Sequence, residues 1–206
     1  MSEMRQPSHV FEGRKRQLWD VCRVFLGAFF RLGVPLGASN ALAGDRVRVI
    51  QARDIANGVV ESGRIVTTSA DAVPASAKRI AAGDVLFQPR GAPKAGLARA
   101  DVEGAVAAMP LFILRSTANE LEPAWLAMVL NSEAMQHRLA AVAVGTSVPQ
   151  VPRAALEDLE LDMPPIETQR LLATYAALAA RERELADLIH AQRMKLVAAL
   201  GRYRKQ

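Results

Sequence analysis

Thiols and histidines are scarce in this sequence of 206 residues, and no long uninterrupted hydrophobic run occurs. A single cysteine, Cys22, excludes an internal disulfide and a cysteine-rich zinc site, and it fits a reducing cytoplasm. The three histidines, His9, His137 and His190, have no metal-ligand spacing to one another and read as surface or packing residues. No metal site is expected. The most apolar window, "VFLGAFFRLGVPLGA" (Val24 to Ala38), is too short for a membrane span and carries Arg31 and Pro35. It reads as a buried strand followed by a turn. The first twenty residues are polar and basic, without the apolar run of a signal peptide, so a soluble cytoplasmic protein is expected.

Catalytic signatures are missing as well. The sequence has no Gly-x-Gly-x-x-Gly after a strand, no phosphate-binding loop ending in Gly-Lys-Ser/Thr and no Gly-x-Ser-x-Gly elbow. "EDLELD" gathers Glu157, Asp158, Glu160 and Asp162. Strand alternation puts Glu160 and Asp162 on one face, which reads as a solvated edge in preference to a metal site. "MPPI" (Met163 to Ile166) has the central prolines of the amino-methyltransferase tetrad, but not its polar first residue or its aromatic last one. The chain is therefore expected not to be an enzyme and to carry no cofactor.

What the sequence does have is an uneven distribution of charge. Residues 1–100 carry 15 Lys/Arg against 8 Asp/Glu, residues 101–165 carry 3 against 9, and residues 166–206 carry 8 against 4. A basic first half beside an acidic segment implies one face for a polyanion; a patchwork of solvated faces is the plainer alternative.

Periodicity predicts an α+β fold. Residues 1–22 read as a basic lead-in, with "GRKRQLWDVCR" as a short helix, and residues 23–165 as one globular domain of mixed strands and helices. "RVRVI" alternates Arg46, Arg48 and Ile50 against Val47 and Val49, a period-2 signal. "GDVLFQPRG" starts a strand after the Gly83-Asp84 turn, and "PLFILRS" supplies another. Glu122 to Gly145 carries helical spacing, interrupted near Asn131-Ser132, and "LELDM" is a final strand. Pro164-Pro165 then opens a long helix over residues 166–206, unbroken until Gly201. Its heptads place Tyr175, Glu182, Ile189, Leu196 and Tyr203 at a and Leu171, Leu178, Leu185, Gln192 and Ala199 at d. A coiled-coil seam is favoured over an amphipathic helix packed on its own domain, with Glu182 and Gln192 as polar seam residues that set register.

The order of segments matters more than any one of them. "VIQARDIANGVV", then "AGDVLFQPRGAP", then "LNSEAMQHRLAAVAVGTSVPQVPRAALEDLELDMPPIETQRLLA" and a long helix together resemble the specificity subunit of type I restriction–modification enzymes, from about Leu26 to the C-terminus. Members of that family usually carry two recognition domains and two long helices; this chain has room for one of each.

The resemblance implies a half-subunit. Two copies would pair through residues 166–206 as an antiparallel homodimer, rebuilding the two-domain shape and reading a bipartite inverted-repeat site on double-stranded DNA. A methyltransferase subunit carrying S-adenosylmethionine would dock on it and act on adenine, joined in a complete system by a motor–nuclease restriction subunit.

It also gives "QPRG" a reason, because Arg90 can bond guanine and Gln88 adenine bidentately, with Gly91 admitting a phosphate. Lys94, Arg99, Arg46, Arg48, Gln51, Arg53, Lys78 and Arg79 would supply further contacts, as would Thr146, Ser147 and Gln150. The rival expectation is an assembly or regulatory protein that binds the methyltransferase through its helix and reads no site of its own. A stand-alone transcriptional regulator is a weaker third reading, since no helix-turn-helix or ligand-pocket motif is evident.

Overall fold

A computed structural model of the chain describes residues 13–30 and 46–203, with the side chains of the last helix described as far as residue 197. The predicted strand at Val24 continues into residues 31–38, which lie outside the described residues.

The first described element corrects the reading of residues 1–22 as a lead-in. Strand β1 (Arg14–Gln17) and a single helical turn, α1 (Leu18–Val21), belong to the folded domain. Leu18 and Val21 are fully buried, three residues apart and therefore on one side of the turn. The main chain of β1 is satisfied across the sequence by β11 (Glu160–Met163), with Arg14 opposite Met163 and Gln17 opposite Glu160.

Six strands form the main sheet: β2 (Cys22–Leu26), β4 (Ile55–Ala56), β5 (Val59–Val60), β7 (Val85–Gln88), β8 (Lys94–Leu97) and β10 (Phe112–Ser116), in the spatial order β2-β10-β7-β8-β5-β4. All its pairings are antiparallel except β5 with β8. A second sheet of three strands sets β3 (Arg46–Ile50) between β6 (Val66–Ser69), antiparallel, and β9 (Val106–Ala107), parallel. The core contains Ile50 of β3, Ile55 and Val60 of the short strands, Leu86 of β7 and Ile113 of β10.

Close approach of backbone fixes one glycine. A Cβ on Gly27 would lie 2.7 Å from the Ala108 carbonyl carbon and 2.9 Å from the Leu111 oxygen, and neither atom belongs to a side chain that can turn aside. Gly27→Ala is expected to cost about 1–3 kcal/mol by this overpacking, read as a shift in the urea midpoint at constant slope.

The helical region divides where the sequence predicts. Helix α2 (Pro123–Leu130) buries Trp125, Leu126, Ala127 and Leu130. Asn131 ends it and binds β8 at the same time: its Oδ1 accepts from the Ala95 N–H at 2.9 Å, and its Nδ2 donates to the Ala95 carbonyl at 2.8 Å. Ser132 then caps α3 (Glu133–Val142), accepting from the Met135 N–H. A short helix, α4 (Arg153–Glu157), leads to β11, where Leu161 and Met163 point inward and Glu160 and Asp162 outward.

Helix α5 (Ile166–Tyr203) continues through Gly201, within the residues expected to be helical; an interior glycine costs only about 1 kcal/mol. The chain separates into two compact units, Met1–Arg170 and Leu171–Gln206, so the first turn of α5 belongs with the domain. Gln169 is the reason. It is fully buried, and its amide accepts from the Glu122 N–H and donates to the carbonyls of Glu120 and Pro164.

Candidate nucleic-acid interface

Two loops about sixty residues apart in sequence meet at the tip of the β7–β8 hairpin. Gln88 ends β7, and its Nε2 donates to the Arg90 carbonyl at 2.8 Å and the Ala92 carbonyl at 3.4 Å. The carboxamide that the sequence offered as a base reader therefore braces the turn. Gly91 has φ +76°, a conformation that side chains other than glycine's seldom adopt. Its N–H donates to the Pro149 carbonyl at 2.9 Å, and the Val151 N–H donates to the Pro89 carbonyl at 2.9 Å.

On its other side the same segment is closed onto the end of α3. The Val144 N–H donates to the Gln150 carbonyl and the Gln150 N–H to the Val144 carbonyl, each at 2.9 Å. Arg90 bridges Gln150, and Gln150 bridges Val144, so three short segments form a small antiparallel ladder. Pro89 and Val151 are buried beneath it, whereas Arg90, Gln150 and Val144 are exposed, with Thr146 and Ser147 exposed in the loop between. "QPRG" and "GTSVPQV", two segments that carry the family resemblance, are thus one structure.

The remaining candidates lie elsewhere. Arg46 donates to the Thr67 hydroxyl at 2.8 Å. Arg48 donates to the carbonyls of Asp101 and Glu103, and Arg79 to that of Gly104. Arg48 and Arg79, with exposed Arg99, adjoin the opposite end of the β7–β8 ladder, about 10 Å of strand away from Gln88, whereas Arg46 stays with β6.

Lys78 sits 4.7 Å from the centre of the Phe25 ring, a cation–π contact. Lys94 donates to the Ile55 carbonyl at 2.8 Å. Gln51 caps the turn at Ala52–Asp54, and Arg53 stands 3.8 Å from Asp54. The basic residues of the first half are therefore distributed over several places, and three of them, Arg48, Arg79 and Lys94, hold down carbonyls of their own fold. The acidic segment is partly neutralised by β1, since Lys15 pairs with Glu160 and Arg16 with Glu120, both at 2.7 Å. The Lys15 hydrogen bond and charge hold the Glu160 carboxyl below its ordinary range.

Burial, with the Asp84 charge, pushes the Cys22 thiol up to about 12, so it stays protonated and unreactive at neutral pH. Among the described residues no group of three His, Cys, Asp or Glu is placed to hold a metal ion, and no helix is long and apolar enough to cross a membrane.

The expected seam of α5 is open to solvent. Leu171, Tyr175, Leu178, Glu182, Leu185, Ile189, Gln192 and Leu196 are all exposed, Tyr175 by 73% and Leu171 by 69%. The side chains of Ala199 and Tyr203 lie outside the described residues.

No family model matches the sequence, and no curated protein matches it. Solved structures do. The fold is similar to the HsdS subunit from Thermoanaerobacter tengcongensis, with a TM-score of 0.61 and 21% identity over 86% of this chain and 44% of that one. It is similar to a chain from a structure describing complex assembly and conformational transition of the type I R-M system, at 0.63 and 23% over 85% and 44%. The Type-I restriction-modification system S subunit from M. genitalium matches at 0.54 and 18%, over 94% and 46%. The chain thus has the fold of these subunits and spans a little under half their length.

Proposed function

We propose that this chain is a non-catalytic DNA-specificity module of a type I restriction–modification methyltransferase. Its domain would read one half of a bipartite duplex site, and its helix would pair with a second copy. The observation that carries this is the fold, shared with S subunits over less than half their length. The hairpin tip supports it, because an arginine, an amide and hydroxyls stand exposed there on a hydrogen-bonded backbone.

The helix supports pairing. At 1.5 Å per residue its 38 residues span about 57 Å. A seam of leucine, isoleucine and tyrosine exposed along such a length is stabilised by covering it with another helix. Two identical modules related by a two-fold axis would then read an inverted repeat, and a partner methyltransferase with S-adenosylmethionine would supply the chemistry. A restriction subunit would join in a complete system.

Light scattering tests the pairing on the full chain. A dimer is expected, and Leu178→Glu with Ile189→Glu is expected to give a monomer of unchanged domain stability; a monomeric parent chain would rule out the homodimer. Salt titration tests the reading. With the methyltransferase added, log affinity for duplex DNA should fall linearly with log salt, by a slope near 0.9 for each phosphate contacted. An exposed seam equally suits an assembly protein that binds the methyltransferase alone, and for such a protein DNA binding and its salt slope would be absent.

A further inference from the structure

The ladder at the hairpin tip sets three chemically different side chains side by side. In an antiparallel sheet, residues directly opposite one another project to the same face with Cβ atoms about 4.5–5.5 Å apart. Val144 and Gln150 form a pair that exchanges both main-chain bonds. Gln150 and Arg90 form the adjoining pair, flanked by the bonds from Gly91 to Pro149 and from Val151 to Pro89. That alternation is the normal one for antiparallel strands. Arg90, Gln150 and Val144 therefore lie in one row roughly 10 Å long, on the face opposite buried Pro89 and Val151.

Folding does not account for this row. Val144 is 59% exposed, so its isopropyl group gains little from burial. Arg90 and Gln150 are exposed, and neither side chain bonds to another described residue. Meanwhile the backbone beneath them is held by four main-chain bonds.

Resting on the DNA-reading role proposed above, we infer that this row reads base edges in the major groove, with Arg90 on guanine, Gln150 on adenine and Val144 against a thymine methyl group. A guanidinium matches guanine O6 and N7, a carboxamide matches adenine N6 and N7, and the thymine C5-methyl is the only apolar group on that edge. Adenine N6 and N7 and the methyl of its paired thymine share one edge, which suits an amide and an isopropyl group on adjacent rungs. A row of about 10 Å fits a groove about 12 Å wide. The predicted half-site contains an A·T pair beside a G·C pair.

The test starts from duplexes that the full chain, with its methyltransferase subunit, selects from a randomised pool. These are resynthesised with uracil in place of thymine, which removes the methyl group, or with 7-deazaguanine in place of guanine, which removes N7. Uracil at one position should weaken binding about fourfold, the value of one buried methyl group. 7-Deazaguanine at a neighbouring position should weaken it at least fivefold, the lower end for a bidentate pair. Val144→Ala should bind thymine and uracil duplexes equally, and Arg90→Ala should lose the response to 7-deazaguanine, with unchanged melting temperatures.

A selected site indifferent to both analogues at every position overturns the row and leaves the DNA-reading role standing. Variants that lose the methyltransferase while keeping analogue sensitivity assign the row to a protein contact and overturn it as well. A pool with no enriched sequence overturns the DNA-reading role itself, and the row with it.

Discussion

Arg115→Ala is expected to cost about 3–5 kcal/mol of folding stability, the penalty for leaving a buried charge without its partner. Asp84 is almost fully buried at the start of β7, and Arg115 reaches it from β10, the neighbouring strand. The contact is a fork: Nε donates to Oδ1 at 2.7 Å and Nη2 to Oδ2 at 2.6 Å. Nη2 also donates to the Arg79 carbonyl, and the Ala81 N–H supplies one further bond to the carboxylate. Removing the guanidinium would leave Asp84 with that one main-chain donor.

Arg115→Lys should recover only part of the loss, since an ammonium cannot reproduce the planar fork. The hydrogen bond that Arg115 donates to Asp84 raises the Arg115 pKa above its ordinary value. A cation so raised contributes its stability throughout the pH range below its unfolded pKa, so the loss should be the same at pH 6 and pH 8. Urea denaturation measures it, and a cost below about 1 kcal/mol would mean that water reaches Asp84 in the variant. A cycle with Asp84→Ala should give a double variant less damaged than the two singles together.

Gln169→Ala is expected to cost about 2–4 kcal/mol, because three main-chain groups lose their buried partner. The side chain accepts from Glu122 at 2.9 Å and donates to Glu120 and Pro164 at 2.8 Å each. It thereby attaches the first turn of α5 to the loop that leads into α2. Gln169→Glu should also destabilise, since a carboxylate would face the two carbonyls with no proton to give. Hydrogen exchange offers a local reading: the Glu122 amide should lose protection in Gln169→Ala, while amides in β7 and β10 keep theirs. Equal loss everywhere would show that Gln169 acts on global stability alone.

Much of the fold was legible because half-buried strands and amphipathic helices leave periods in a sequence. "RVRVI" and "LELDM" alternate, and both are strands with their valines or leucines inward. The break at Asn131-Ser132 was readable from two residues that favour helix ends, and Asn131 turned out to serve a strand as well. β1 was missed for the converse reason. All four of its side chains are exposed, so "RKRQ" has no apolar alternation, and its partner lies nearly 150 residues away.

The candidate site was legible as two separate loops and no further. Arg90, Gln150, Thr146 and Ser147 were each visible as side chains suited to nucleic acid, but their meeting depends on main-chain bonds that no residue type announces. The basic half was legible as charge alone. Counting arginines records charge but not occupancy, and Arg48 and Arg79 are engaged with carbonyls of their own domain. Gln88 was placed correctly at the strand end, but its amide faces its own turn.

The ladder that joins Arg90, Gln150 and Val144 is made of peptide groups alone. A main-chain carbonyl is common to every amino acid and an N–H to every one but proline, so exchanging these three side chains for any others except proline's leaves each of its bonds intact. Such a surface can drift. Substitutions at 90, 144 and 150 change what is presented while the buried residues beneath, Pro89 and Val151, keep the frame. Selection can therefore revise the message without renegotiating the fold, and a laboratory library confined to those three codons would explore the same freedom.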